Sequence, residues 1–92
     1  MRTIERSSAF KKDWKRVLAN PRHKQIESQL VPVLERLVQD LHLEDSLRDH
    51  GLVGNWNGYR ECHIKPDLLL IYSVQIDGVL RLARIGSHSE LF

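Results

Sequence analysis

Apolar residues recur at helical spacing along the first half of the chain. Phe10, Trp14, Val17 and Leu18 fall at i, i+4, i+7 and i+8, with Lys11, Lys12, Lys15 and Arg16 on the other side. Ser7 or Ser8 stands where a helix N-cap belongs. Ahead of it, Thr3 to Arg6 fits a short edge strand with Ile4 as its inward residue. A second stripe runs through Ile26, Leu30, Val33, Leu34, Leu37 and Val38. Asn20-Pro21 closes the first helix and opens the second, because Asn caps well and Pro fits the first helical position. Pro32 removes a backbone donor inside the second stripe, yet the period continues across it. That predicts one kinked helix rather than two. Joined by a short turn, the two helices make a hairpin.

The second half changes period. Residues 40–55 read as an irregular connection, acidic at first and ending in Gly51 and Gly54. Its length is unusual for so small a domain, and long loops often carry function. Trp56 to Ile64 alternates weakly, as a strand does. Lys65-Pro66-Asp67 is a turn, and Leu68 to Val74 is nearly all apolar, as befits a central strand. Asp77-Gly78 supplies hairpin chemistry before a last strand over Val79 to Ile85. Gly86 ends that strand, and Ser87 to Phe92 is a tail. The expected fold class is α+β, one domain over residues 1–92. An N-terminal strand and a helical hairpin precede three hairpin-connected antiparallel strands, and the single sheet packs against the helices.

Composition fits this picture. Of the 92 residues, 41% are hydrophobic and 28% charged, which suits a globular chain and not a disordered one. No apolar run approaches the roughly 18 residues of a membrane-spanning helix, and no signal-peptide core is visible. Cys62 is the only cysteine, so neither an internal disulfide nor a cysteine-based zinc framework is available. These features imply a cytoplasmic protein. Net charge is only +2, but residues 1–39 hold nine Lys and Arg against four Asp and Glu. A basic face of this kind suits a polyanion such as RNA, or simply the solvated side of two helices.

Five histidines in a chain this short are many. His23 and His42 fall in the helical half and read as surface residues. His50, His63 and His88 fall at or near the ends of expected elements, with Asp67 in the turn after His63 and Arg84 four residues before His88. Zinc accepts three histidines, but compact sites use short spacings, and these gaps are 13 and 25 residues. No metal and no cofactor is therefore expected. Proton transfer suits the set better, because imidazole gives and takes protons near neutral pH. Cleavage of RNA needs a base for the 2′-hydroxyl, an acid for the leaving oxygen and a cation for the developing phosphate charge. His50, His63, Asp67, Arg84 and His88 supply each of these.

The residues Asp49-His50-Gly51-Leu52, Gly54-x-Trp56-x-Gly58-Tyr59-Arg60, His63-x-x-Pro66-Asp67, Leu70-x-Tyr72 and Arg84-x-Gly86-x-His88-x-x-Leu91-Phe92 occur in that order. The set resembles the YafQ branch of the RelE/ParE toxin superfamily, over essentially the whole chain. The resemblance implies a RelE-like fold and a toxin of a type II toxin–antitoxin pair. Such a toxin is an endoribonuclease that enters the ribosomal A site and cuts the translated mRNA without a metal. It implies functional residues at His50, His63, Asp67, Arg84 and His88, with an aromatic at Phe92 for stacking on a base. His88 is the favoured general acid and Arg84 the stabiliser of the phosphorane-like state. His50, His63 and Asp67 share base and positioning work. Leu68 stands where some relatives carry an aromatic. The implied partners are the ribosome with its mRNA and a cognate antitoxin, in a hetero-oligomeric complex that binds operator DNA through the antitoxin.

Other residues take plainer readings. Lys11, Lys12, Lys15, Arg16 and Arg81 are candidates for contacting RNA. Trp56, Tyr59 and Tyr72 read as packing residues, and Cys62 points away from His63 across the strand. Two alternatives stay open at this point. One is a gyrase-poisoning toxin of the same fold, as in the ParE branch. The other is an inactive antitoxin-binding module.

Overall fold

The computed structural model describes residues 2–92. Strand β1 (Thr3–Arg6) leads into helix α1 (Ser8–Ala19), and a 3-10 turn (Pro21–His23) leads to helix α2 (Ile26–Val38). A short strand β2 (His50–Gly51) then precedes β3 (Arg60–Lys65), β4 (Leu68–Val74) and β5 (Val79–Gly86), and helix α3 (His88–Leu91) follows. The sheet runs β1-β5-β4-β3-β2. All neighbouring pairs are antiparallel except β1 with β5, which are parallel because the helical hairpin carries the chain back between them.

Alternation on the strands sorts two packed faces. Cys62, Leu70, Tyr72, Leu80, Leu82 and Ile85 join Phe10, Val17, Ile26, Leu30, Val33 and Leu37 in the main core, between sheet and helices. The opposite face is not left to solvent. Leu69, Ile71 and Ala83 pack under Leu91 of α3, with Leu52, Trp56 and Tyr59 of the loop before β3. With both faces covered, β4 is buried from Leu68 to Ser73, which accounts for its nearly continuous apolar sequence.

Several expectations need correction. Asn20 caps the 3-10 turn by accepting from the Arg22 N–H, and α2 begins only at Ile26. That helix does run as one piece through Pro32. The strand expected from Trp56 starts at Arg60, because Gly54–Trp56 forms a 3-10 turn and Gly58 takes φ +91°. Residues 40–55 are not wholly irregular, since they contain β2. The tail is not a tail: Ser87 caps α3 by accepting from the Glu90 N–H, and the Glu90 carboxylate accepts from the Ser87 N–H. Ile4 is 46% exposed, because β1 is the edge of the sheet and nothing pairs beyond it. Leu18 likewise stays exposed. His23 is buried rather than on the surface. Its Nδ1 accepts from Lys65 Nζ at 3.0 Å, and the same ammonium donates to the Arg22 carbonyl, tying the end of β3 to the turn between the helices.

A candidate active site on the outer face of the sheet

Strand register determines which of the sequence-selected residues meet. His50 on β2 stands opposite Glu61 on β3, Glu61 opposite Ile71, and Ile71 opposite Arg84 on β5. In the row beside it, His63 stands opposite Leu69 and Leu69 opposite Gly86, two residues before His88. By register all these belong to the face away from the helices, although the Arg84 side chain turns over the edge of β5 to reach Asp13 of α1. Strands lie about 4.8 Å apart, so His63 and Gly86 are about 10 Å apart and His50 and Arg84 about 14 Å. On this face Leu91 of α3 and the loop residues Leu52, Trp56 and Tyr59 pack with Leu69, Ile71 and Ala83.

Each histidine is held differently. His50 Nδ1–H donates to the Arg48 carbonyl at 2.7 Å, which makes Nε2 its basic nitrogen in the neutral ring. Arg48 itself takes φ +50°, the left-handed conformation that aims that carbonyl back at the ring. His50 Nε2 lies 3.6 Å and His63 Nε2 3.5 Å from the same oxygen, Glu61 Oε1. Glu61 is only 6% exposed and was missed from the sequence, although it shares a face with His63 by simple alternation. A cleft of about 450 Å³ opens beside His63, lined by Arg48, Lys65 and Pro66 among others. Asp67 is exposed in the turn after β3, at the end of the sheet where β5 passes into α3.

Asp49 anchors the segment that carries His50. It accepts from the buried Tyr72 hydroxyl at 2.6 Å and from Arg60 Nε and Nη2 at 3.3 Å each. The same carboxylate raises the pKa of Arg60, while burial, followed by the hydrogen bond to Asp49, holds the Tyr72 hydroxyl protonated far above the ordinary phenol range. Cys62, on the other face of β3 as expected, is fully buried, and desolvation with the charges of Asp49 and Glu61 pushes its thiol up to about 12. It is no nucleophile.

Arg84 is not a free cation. Its Nε and Nη2 donate to the two oxygens of Asp13 at 2.6 and 3.1 Å, and Asp13 is 3% exposed. Asp13 also accepts the Ile85 N–H at 3.1 Å and lies 3.2 Å from Arg16. Arg16 in turn pairs with Glu90 of α3 at 3.0 Å. Beyond Leu82, β5 has no strand on its outer side, and α1 takes over the edge: Ser7 Oγ donates to the Ala83 carbonyl while Asp13 receives Ile85. The sequence signal for Asp13 was its place on the buried stripe, three residues after Phe10 and four before Val17. Gly86 permits this arrangement, because a Cβ there would lie 3.0 Å from Arg16 Nη2 and 3.1 Å from Glu90 Oε1.

The remaining selected residues divide. His88 opens α3, exposed, and its ring lies 4.9 Å from that of Phe92, which is 51% exposed. Leu68 is buried in the core and has no face to offer a base. Lys11, Lys12 and Lys15 are exposed on α1. Arg81 and Arg16 are also accessible to solvent, but each has a partner: Arg81 pairs with Glu5 across β1 and β5 at 2.6 Å, and Arg16 is the link to α3 just described.

Comparison with known proteins gives the family. The family model of the YafQ toxin, a bacterial toxin of type II toxin–antitoxin systems, matches residues 2–92. The mRNA interferase toxin YafQ of Escherichia coli K12 is 41% identical over 92 residues, covering 99% of this chain and 96% of that protein. A copper-bound mutant toxin from Helicobacter pylori superposes with a TM-score of 0.92 at 41% identity, over the full length of both chains. YafQ in the E. coli DinJ–YafQ complex superposes at 0.83 with 41% identity, covering 100% of this chain and 99% of that one. The chain belongs to the YafQ family of type II toxin–antitoxin toxins.

Proposed function

We propose that this chain is an mRNA interferase, an endoribonuclease that cuts message in the ribosomal A site by acid–base chemistry of its own side chains. The observation that carries the reading is the register that brings His50, Glu61, His63 and Arg84 across one sheet, with His88 at the start of α3 two residues after Gly86 and its ring against exposed Phe92. The name and identity of the E. coli relative support it. His88, exposed at the start of α3, protonates the leaving 5′-oxygen. Arg84 faces the phosphate. The base is drawn from His50, His63 and Asp67, and the register favours His63, which lies one strand nearer to Arg84 and His88 than His50 does. Glu61 and His50 then orient His63. Phe92 stacks on a splayed base, worth about 1–3 kcal/mol. Leu69 and Ile71, between the histidines of β2 and β3 and Arg84, are buried under Leu91, so the ribosome supplies the alignment that an RNA-binding groove would otherwise give. The E. coli relative is held by DinJ, and a cognate antitoxin is the corresponding partner here.

Primer extension on an mRNA translated in a purified system tests the reading. Wild-type protein should give codon-spaced cuts only when ribosomes engage the message, and His88→Ala should give none while still binding antitoxin. Folded wild-type protein that leaves the message intact would defeat it. Gyrase inhibition would then be the next assay.

A further inference from the structure

We infer that Asp13 is a positioning residue for the proposed cleavage, fixing the guanidinium of Arg84 so that its unused N–H groups point at the scissile phosphate. The inference deepens the nuclease reading and rests on it. A guanidinium presents five N–H donors in a rigid planar fork. Asp13 takes one edge of that fork, Nε and Nη2, in a two-point contact. This leaves Nη1 and the second Nη2 proton, and the Arg84 side chain is 27% exposed, so it is not sealed off from a ligand. Asp13 is itself immobile. It is buried in α1, held by the Ile85 N–H and flanked by Arg16. Arg84 therefore meets a phosphate with its rotamer already chosen, and ordering it costs nothing at the moment of reaction.

The arrangement has an electrostatic drawback that makes it testable. The Asp13 charge partly cancels the attraction of Arg84 for any phosphate, in substrate and transition state alike. Asp13→Asn keeps the side-chain shape and an oxygen for the Ile85 N–H, while removing both the charge and the two-point hold. Ground-state attraction should rise and orientation should be lost. The expected result is a fall in kcat of about 10- to 100-fold, the scale set by misplacement of a reacting group, with KM unchanged or lowered. A purely structural tether between α1 and β5 would lower the melting temperature without producing that split.

Kinetics would be measured on ribosomes programmed with mRNA for wild type, Asp13→Asn, Arg84→Ala and the double variant, each with a thermal melt. If Asp13 acts through Arg84, the double variant is no slower than Arg84→Ala within about twofold. Losses that multiply, or an Asp13→Asn variant with unchanged kcat, would overturn the inference and leave the nuclease reading standing. An inactive wild type would overturn both. Should Asp13→Asn not fold, nitrogen-15 spectra of the wild-type side chains decide the matter. Arg84 should show separate Nη signals from hindered rotation, and a freely rotating guanidinium would refute the hold.

Discussion

Tyr72→Phe is the substitution whose cost the structure defines best. It deletes one oxygen from a side chain that is 2% exposed and leaves the ring packing in place. The lost contact is a hydrogen bond of 2.6 Å to Asp49 Oδ1, a neutral donor on an ionised acceptor. Bonds to charged groups contribute about 1.5–3 kcal/mol. The Asp49 side chain is 24% exposed and keeps Arg60, so water and the guanidinium recover part of the loss. The lower end, about 1.5 kcal/mol, is therefore expected. A domain of 92 residues unfolds with an entropy of about 0.19 kcal/mol/K, which turns this cost into a fall of about 8 °C in Tm. Arg60→Ala should cost less, about 0–1 kcal/mol, because its bonds to Asp49 are long and the side chain is half exposed. Thermal melts followed by circular dichroism, with Asp49→Asn completing a double-mutant cycle, measure both. Because Asp49 directly precedes His50, Tyr72→Phe should also slow the proposed cutting of mRNA on programmed ribosomes. A Tyr72→Phe protein that melts within 2 °C of wild type, or no better anchored by Tyr72 than by Arg60, would refute the assignment of this hydrogen bond as the anchor of β2.

Three further outcomes follow from the same structure. Cys62, fully buried with its thiol raised to about 12, should fail to react with Ellman's reagent in the native protein and react fully in urea; rapid native labelling would contradict the core placement. The Ser87 backbone N–H, more than the Arg16 charge, holds the Glu90 carboxyl below its ordinary 4.5, so its stabilisation of α3 is complete above that pH and disappears as the pH falls through the lower folded value. Methyl shifts of Leu91 should move in that acid window and Glu90→Gln should remove the movement, whereas a flat titration from pH 6 to 3 would exclude the linkage. Cutting should persist in 1,10-phenanthroline, which strips zinc and copper but spares the magnesium that ribosomes need; loss of activity restored by added metal would sink the side-chain-only chemistry.

Local signals in the chain were sufficient for the elements whose physics is local. Periodicity at 3.6 residues found α1 and α2, and it rightly carried α2 across Pro32 as one helix, because packing of Ile26, Leu30, Val33 and Leu37 holds it there. The apolar run of β4 and the Asp77-Gly78 turn were legible for the same reason. The ordered motifs selected His50, His63, Asp67, Arg84 and His88 without any structure. Of the short elements, β1 was legible over Thr3 to Arg6, but β2 and α3 were not. β2 has two residues, and only its pairing with β3 makes it a strand. The capping box of α3 was written in Ser87 and Glu90, but one turn of helix is unstable until Leu91 packs on Leu69, Ile71 and Ala83.

The sequence determined which residues can do chemistry, since that depends on side-chain type alone. Only the tertiary structure decided their states, because these depend on neighbours distant in the chain. Register placed the carboxylate of Glu61 between two histidines. The end of β1 left an open edge on β5 that α1 fills with Asp13, so that Arg84 is paired across 71 residues. Charge counts drew Arg16 and Arg81 into the RNA-binding set, and the fold gives each a partner that no count could show, because an ion pair depends on neighbours far along the chain: Glu90 for Arg16 and Glu5 for Arg81.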